Sequence, residues 1–221
     1  AFWRTLDPLG DNAFNMTGTN AEILVANGTS HQLWSNGTNA PRFLQPAPDS
    51  DFGIEVKFDS VPATQYQMQG IVVQEDDDTL LRIEIFYGTT PIAYAAYLNG
   101  SDAPTVFTIT NPPTAIPAYM RLMRTGDDFE FLYSDDGTTW TTAAAFTQAL
   151  TVTEVGFYGG NHTPNPAFTA SADYFINLDD LNFQPELTNP GPQVNDEGDP
   201  VSLTIGSEDR DLDTLTFSAI D

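Results

Sequence analysis

Nine segments of this chain alternate apolar and polar residues at a period near two, and no window of a dozen residues carries a helical period. They occupy residues 21–27, 52–58, 68–74, 79–88, 92–98, 105–110, 118–125, 128–134 and 153–160. Strands place successive side chains on opposite faces, so this pattern predicts half-buried β-strands. The segments are rich in Ile, Val, Phe, Tyr and Thr, which suit a pleated surface. Many short strands without intervening helices predict a sandwich or barrel. TTAAAFTQAL, residues 141–150, is the only stretch that reads as even a short helical turn.

Turn signals separate the segments. The most conspicuous is EDDDT, where Glu75, Asp76, Asp77 and Asp78 stand between GIVVQ and LLRIEIFYG. Asp favours turns because its side chain bonds nearby backbone, and its charge keeps a tip solvated. A hairpin tip is the reading preferred over a metal or catalytic cluster, since hydrolysis needs two carboxylates held across a cleft. Neighbours on one turn do not supply that geometry.

Lys and Arg number 7 against 31 Asp and Glu, a formal net charge of -24. A field this negative repels nucleic acid and anionic lipid, which excludes both as partners. There is no cysteine, so neither disulfides nor thiolate metal sites arise. No apolar stretch approaches the roughly 20 residues that span a bilayer, so membrane insertion is not expected. AFWRTLD has neither the basic start nor the apolar core of a signal peptide, so an exported protein would be represented by its mature chain or a fragment. Sequons begin at Asn15, Asn27, Asn36, Asn99 and Asn161 and permit N-glycosylation. His31 and His162 lie in loop-like segments without the spacing of a zinc site and read as solvated.

Taken in order, APRFLQPAPDSDFGIEVKF, YQMQGIVVQEDDDTLLRIEIF, YMRLMRTGDDFEFLYSDDGTTW, VGFYGGN and ADYFINLDDLNF resemble the concanavalin A-like lectin/glucanase superfamily. The nearest branch is the β-sandwich accessory module of bacterial β-xylosidases. The resemblance covers residues 1–184 and implies an all-β jelly roll of two antiparallel sheets that binds glycans or braces a neighbouring domain. Glucanases of the superfamily carry an E-x-D-x-x-E signature, and no such set follows Glu55, Glu84 or Glu130. A non-enzymatic role is therefore expected. YSDDGTTW resembles an Asp-box hairpin, in which Ser134 and Asp136 would bond turn amides and Trp140 would cap the core.

Residues 185–193 are Pro-rich and read as a linker. Residues 194–221 resemble the opening of a cadherin-like or immunoglobulin-like bacterial surface repeat. Two strands are too few to close a sandwich, which points to a longer, multi-module chain or to a donated strand. In Asp209, Asp211 and Asp213 the oxygen ligands recur two apart, the spacing Ca²⁺ takes in turns, and the repeat implies Glu197 as a further ligand. A solvated acidic hairpin is the alternative there. Asp173, Asp179 and Asp180 are a second calcium candidate.

These readings converge on a non-catalytic, lectin-like module of a secreted or cell-surface protein, with a polysaccharide or glycan as partner. Trp34, Tyr158, Asn161 and His162 are its candidate ligand-binding residues, the aromatics stacking sugar rings and the polar groups orienting them. Tyr94 and Tyr97 fall on opposite faces of one strand, so one of them at most meets a ligand. The competing reading is a structural or adhesive segment, in an adhesin, surface layer or filament, whose sandwich docks neighbouring modules or copies.

Overall fold

Alternation becomes two antiparallel sheets packed face to face. The computed structural model describes residues 3–35, 37–178, 186–187, 191–192, 196–198 and 206–208. The chain divides into two compact units, residues 1–177 and 178–221. In spatial order, the first sheet runs β1 (Arg4–Leu6), β6 (Arg42–Pro46), β15 (Glu154–Asn161), β8 (Gln67–Gln74), β9 (Thr79–Tyr87), β10 (Pro91–Asn99) and β11 (Thr105–Val106). The second runs β14 (Thr141–Thr147), β13 (Asp128–Ser134), β12 (Tyr119–Thr125), β7 (Phe52–Phe58), β16 (Phe168–Asn177), β3 (Ala21–Val25) and β2 (Ala13–Met16). No α-helix occurs among the described residues. This is the jelly-roll sandwich expected from the sequence.

One face of each sheet builds the core. Ile71, Val73, Leu81, Ile83, Ile85 and Phe157 of the first sheet join Ile54, Val56, Phe58, Met120, Leu122 and Phe131 of the second in one apolar cluster. The first sheet is also buried on its other face. There Leu44, Met68, Val72, Leu80, Leu98 and Tyr158 pack with Leu33 and Ala40. Leu33 belongs to a small hairpin, β4 (Leu33–Trp34) and β5 (Gly37–Thr38), which therefore lies across the sheet as a partial third layer.

Arg42 fastens that layer. Its side chain is fully buried, and its guanidinium donates to the Thr38 carbonyl at 2.9 Å, Gln74 Oε1 at 2.9 Å and the Asp77 carbonyl at 3.2 Å. Burial disfavours its charge and pushes its pKa down to about 10, while Asp77 pulls the other way. EDDDT reverses the chain between β8 and β9. Asp76 Oδ1 accepts the amides of Asp78 at 2.9 Å and Thr79 at 2.7 Å. Asp77 meets Arg4 at 3.0 Å, and Asp78 accepts the Thr38 hydroxyl at 2.6 Å. The tip is thus bonded to the hairpin layer and to β1, which goes beyond solvation.

Some local expectations change. Residues 141–147 form β14, with a register shift opposite Phe131 and Leu132 that lets both Ala143 and Ala144 be buried. Of residues 105–110, only Thr105–Val106 pair as a strand. Asp136 does cap its turn, accepting the Thr138 and Thr139 amides at 2.8 and 2.7 Å. Trp140, however, lies over the Arg121 guanidinium at 3.8 Å and has no place in either apolar cluster.

In the second unit, β17 (Glu186–Leu187) pairs antiparallel with β18 (Ser207–Glu208), which puts a strand within the stretch expected as a linker. Glu197 is exposed. The calcium candidates Asp209, Asp211, Asp213, Asp179 and Asp180, and the sequon at Asn36, lie outside the described residues.

Candidate functional site

The register of the first sheet sets one row of residues across four strands: Tyr158 on β15, Gly70 on β8, Glu84 on β9 and Tyr94 on β10. Gly70 has no side chain, so the Tyr158 ring reaches over β8 and its hydroxyl donates to Glu84 Oε2. A Cβ on Gly70 would stand 2.1 Å from the Ile83 carbonyl oxygen and 2.9 Å from Glu84 Cβ. Two residues earlier on β9 is Arg82, opposite Ala96, and its Nη1 donates to the same Glu84 Oε2 at 3.0 Å. Glu84 is 2% exposed and Arg82 6%.

Above this pair opens a cavity of about 370 Å³. Trp34 and Tyr94 line it near Arg82, their ring centres 6.0 Å apart and each about 5 Å from the guanidinium carbon, at 5.1 and 5.0 Å. Tyr66, Phe86 and His162 line it at the other end of the β9 segment, with Tyr66 and Phe86 centred 6.4 Å apart. Tyr66 adopts φ 66°, a left-handed conformation uncommon outside glycine. Its amide donates to the Tyr87 carbonyl at 2.6 Å and its carbonyl accepts the His162 amide at 3.1 Å, which holds that conformation. Gln32 and Met68 complete the lining.

The floor retains hydrogen-bonding capacity. Arg82 Nε is buried with no hydrogen-bond partner. Both bonds to Glu84 arrive at Oε2, and Oε1 has no protein partner among the described residues. Burial works against the Arg82 charge, but Glu84, Tyr158 and Tyr94 outweigh it and raise its pKa. Burial, and then the Glu84 charge, hold the Tyr158 hydroxyl well above its ordinary range, so it stays protonated and donates.

The four expected ligand residues separate into two pairs. Trp34 and His162 line the pocket. Tyr158 and Asn161 are fully buried and offer no surface to a ligand. Tyr158 supports the floor from below. Asn161 Nδ2 donates to the Ala26 and Pro166 carbonyls at 2.8 and 2.9 Å while Oδ1 accepts the His31 amide at 2.9 Å, which fastens the loop leading to β4. His31, expected in solvent, is also fully buried, with Nε2 2.8 Å from Asp11. Tyr94 faces the pocket and Tyr97 packs against the core, as opposite strand faces require.

Tyr66, Arg82, Glu84 and Phe86 were not among the expected residues. Their signal is the spacing in LRIEIF, which puts Arg82, Glu84 and Phe86 on one strand face and Ile83 and Ile85 on the other. For a metal, the described residues hold no group of three or more His, Asp or Glu arranged to bind one. Asp173 pairs with Lys57 at 2.7 Å.

A family model described as "Protein of unknown function (DUF1349)" matches residues 27–171. No curated protein sequence matches the chain. Among solved structures, the fold is similar to the GH43 protein BlXynB from Bacillus licheniformis, at TM-score 0.62 and 14% identity, over 79% of this chain and 36% of that one. It is similar to the carbohydrate-binding module CBM66 from Bacillus subtilis, at TM-score 0.53 and 13% identity, over 77% and 89%. It is also similar to a functionally unknown protein from Saccharomyces cerevisiae, at TM-score 0.55 and 15% identity, over 79% and 91%. The chain thus spans about a third of the BlXynB chain, 36%, and nearly all of the isolated module, 89%. At these identities the likeness is one of fold.

Proposed function

The chain belongs to the DUF1349 family, and from that premise we propose that its sandwich is a non-catalytic, lectin-like carbohydrate-binding module of a secreted or cell-surface protein. The observation that carries this reading is the pocket itself, which joins aromatic walls to a hydrogen-bonding floor. Sugar rings present apolar C–H faces and polar edges, so a site for them needs both kinds of surface within one sugar's width. Trp34 and Tyr94 supply aromatic faces, and Arg82 and Glu84 supply polar atoms that fix orientation. The fold shared with a carbohydrate-binding module supports the same reading.

Glycoside hydrolysis by the usual route requires two carboxyl groups roughly 5–10 Å apart. Among the described residues lining this pocket, Glu84 is the only carboxylate, and Tyr158 and Arg82 both engage it. That is why binding without catalysis is proposed.

The test is titration of the purified chain with a panel of polysaccharides, followed by tryptophan fluorescence and calorimetry, with calcium and with EDTA. Saturable binding to one glycan class is expected, and Trp34→Ala should weaken it at least tenfold while the chain still unfolds in one cooperative transition. The EDTA arm reads the calcium proposed at Glu197, Asp209, Asp211 and Asp213. Absence of binding to every glycan, or equal affinity in Trp34→Ala, would refute the proposal and favour a protein-docking role.

A further inference from the structure

The floor of the pocket is a buried ion pair in which the carboxylate keeps an oxygen, and the guanidinium N–H groups, without a protein partner among the described residues, and this arrangement restricts what fits above it. Glu84 Oε1 accepts nothing from the protein among the described residues. Arg82 Nε is buried without a partner. A buried donor left unpaired carries a desolvation cost. The two side chains are direct neighbours, since Nη1 of the guanidinium lies 3.0 Å from Oε2 of the carboxylate.

Among the described lining residues, Arg82 and Glu84 supply the only Arg, Lys, Asp or Glu charges, and the two cancel. A ligand carboxylate drawn to Arg82 would also be forced against Glu84, placing two anions in one site shielded from water. The net charge of -24 adds repulsion at longer range. A ligand ammonium drawn to Glu84 would meet Arg82 in the same way. A neighbouring pair of hydroxyls satisfies both groups without adding charge, since one hydroxyl donates while the next accepts.

Resting on the carbohydrate-binding reading, we infer that this pocket selects an uncharged sugar unit by a vicinal diol, with one hydroxyl donating to Glu84 Oε1 and its neighbour accepting from the Arg82 guanidinium. Sugar acids and amino sugars are rejected. The cavity, about 370 Å³, is near the small end of ligand pockets and accommodates a short saccharide.

The experiment titrates the full chain, by Trp34-sensitive fluorescence and calorimetry, with methyl glycosides of neutral pentoses and hexoses. Their uronate, 2-amino and monodeoxy counterparts form the comparison set. The best neutral glycoside should bind at least tenfold more tightly than its uronate and amino counterparts. Removing either hydroxyl of one adjacent pair should cost tenfold or more, and removing any other less than threefold. Glu84→Gln keeps an acceptor for Tyr158 and Arg82 but removes the anion, so the neutral-to-uronate ratio should narrow at least threefold. The wild-type panel decides the matter even if that variant folds poorly. Uronates binding as tightly as neutral sugars, or losses spread evenly over all hydroxyls, would overturn the diol inference and leave carbohydrate binding intact. No saccharide binding at all would remove both.

Discussion

Replacing Tyr158 with Phe isolates one bond in the floor of the pocket. The ring is fully buried and packs among Leu44, Met68 and Val72, contacts that Phe retains, so the substitution removes an oxygen and opens almost no cavity. What is lost is one of two donors to a carboxylate that is 2% exposed. A hydrogen bond to a charged group is worth about 1.5–3 kcal/mol, so Tyr158→Phe should cost about 2 kcal/mol. For a unit of this size that corresponds to a melting temperature lower by roughly 4–8 °C. Urea denaturation followed by tryptophan fluorescence reads it directly, because Trp3, Trp34 and Trp140 all lie within residues 1–177. In a Glu84→Gln background the same substitution removes a bond to a neutral acceptor, worth about 1 kcal/mol, so the cost should roughly halve. A cost below about 0.5 kcal/mol, or the same cost in both backgrounds, would show that the hydroxyl does not support a charged Glu84.

Three further outcomes are expected. Backbone N–H groups of Thr139 and Thr138 hold Asp136 below the usual carboxylate range, the Val152 amide and Arg124 do so for Asp49, and Asn20 and Lys57 for Asp59. Because the folded pKa is depressed, this stability is complete above about pH 5 and fades as pH falls through about 4 toward the folded values. The melting temperature should drop across that window and drop less in Asp136→Asn; a flat profile would contradict the assignment. Folded protein recovered from a eukaryotic secretory pathway should be bare at Asn161, since that side chain is fully buried with both amide hydrogens donated and a glycan there is incompatible with the fold, while the exposed Asn15, Asn27 and Asn99 remain available. Peptide mass mapping decides this, and a glycan on Asn161 of the folded protein would refute it. Gly70→Ala drives a Cβ against the Ile83 carbonyl and should cost about 1–3 kcal/mol, the range for overpacking, along with an altered Trp34 emission. Wild-type stability in that variant would mean that β8 and β9 separate easily.

Much of the sandwich is legible in the sequence because alternation is a local property. The segments at 52–58, 79–87 and 128–134 emerge as strands almost residue for residue, and the hairpin tips follow from Asp chemistry. The pocket is less legible, for a physical reason. Alternation implies one buried and one solvated face, yet β8 and β9 are covered on both. The covering hairpin is two residues on each side, too short to carry a period. Alternation alone therefore gives no sign that Arg82 and Glu84 form a buried floor. Tyr158 and Asn161 read as loop-proximal ligands, but β15 is a central strand, flanked by β6 and β8. Its place in the sheet depends on pairing partners far away in the chain, which no local window reports.

That central position has a consequence for how the chain reaches its native state. In the first sheet β15 is wedged between β6 and β8, and in the second β16 is wedged between β3 and β7. The last strands of the unit to leave the ribosome are thus the keystones of both layers. Until they arrive, β6, β8, β3 and β7 each present a bare ladder of backbone donors and acceptors, the kind of edge that recruits foreign strands. Closure over such sequence separations is slow. A nascent chain built in this order gains little by folding early and does best held extended until residue 177 has emerged.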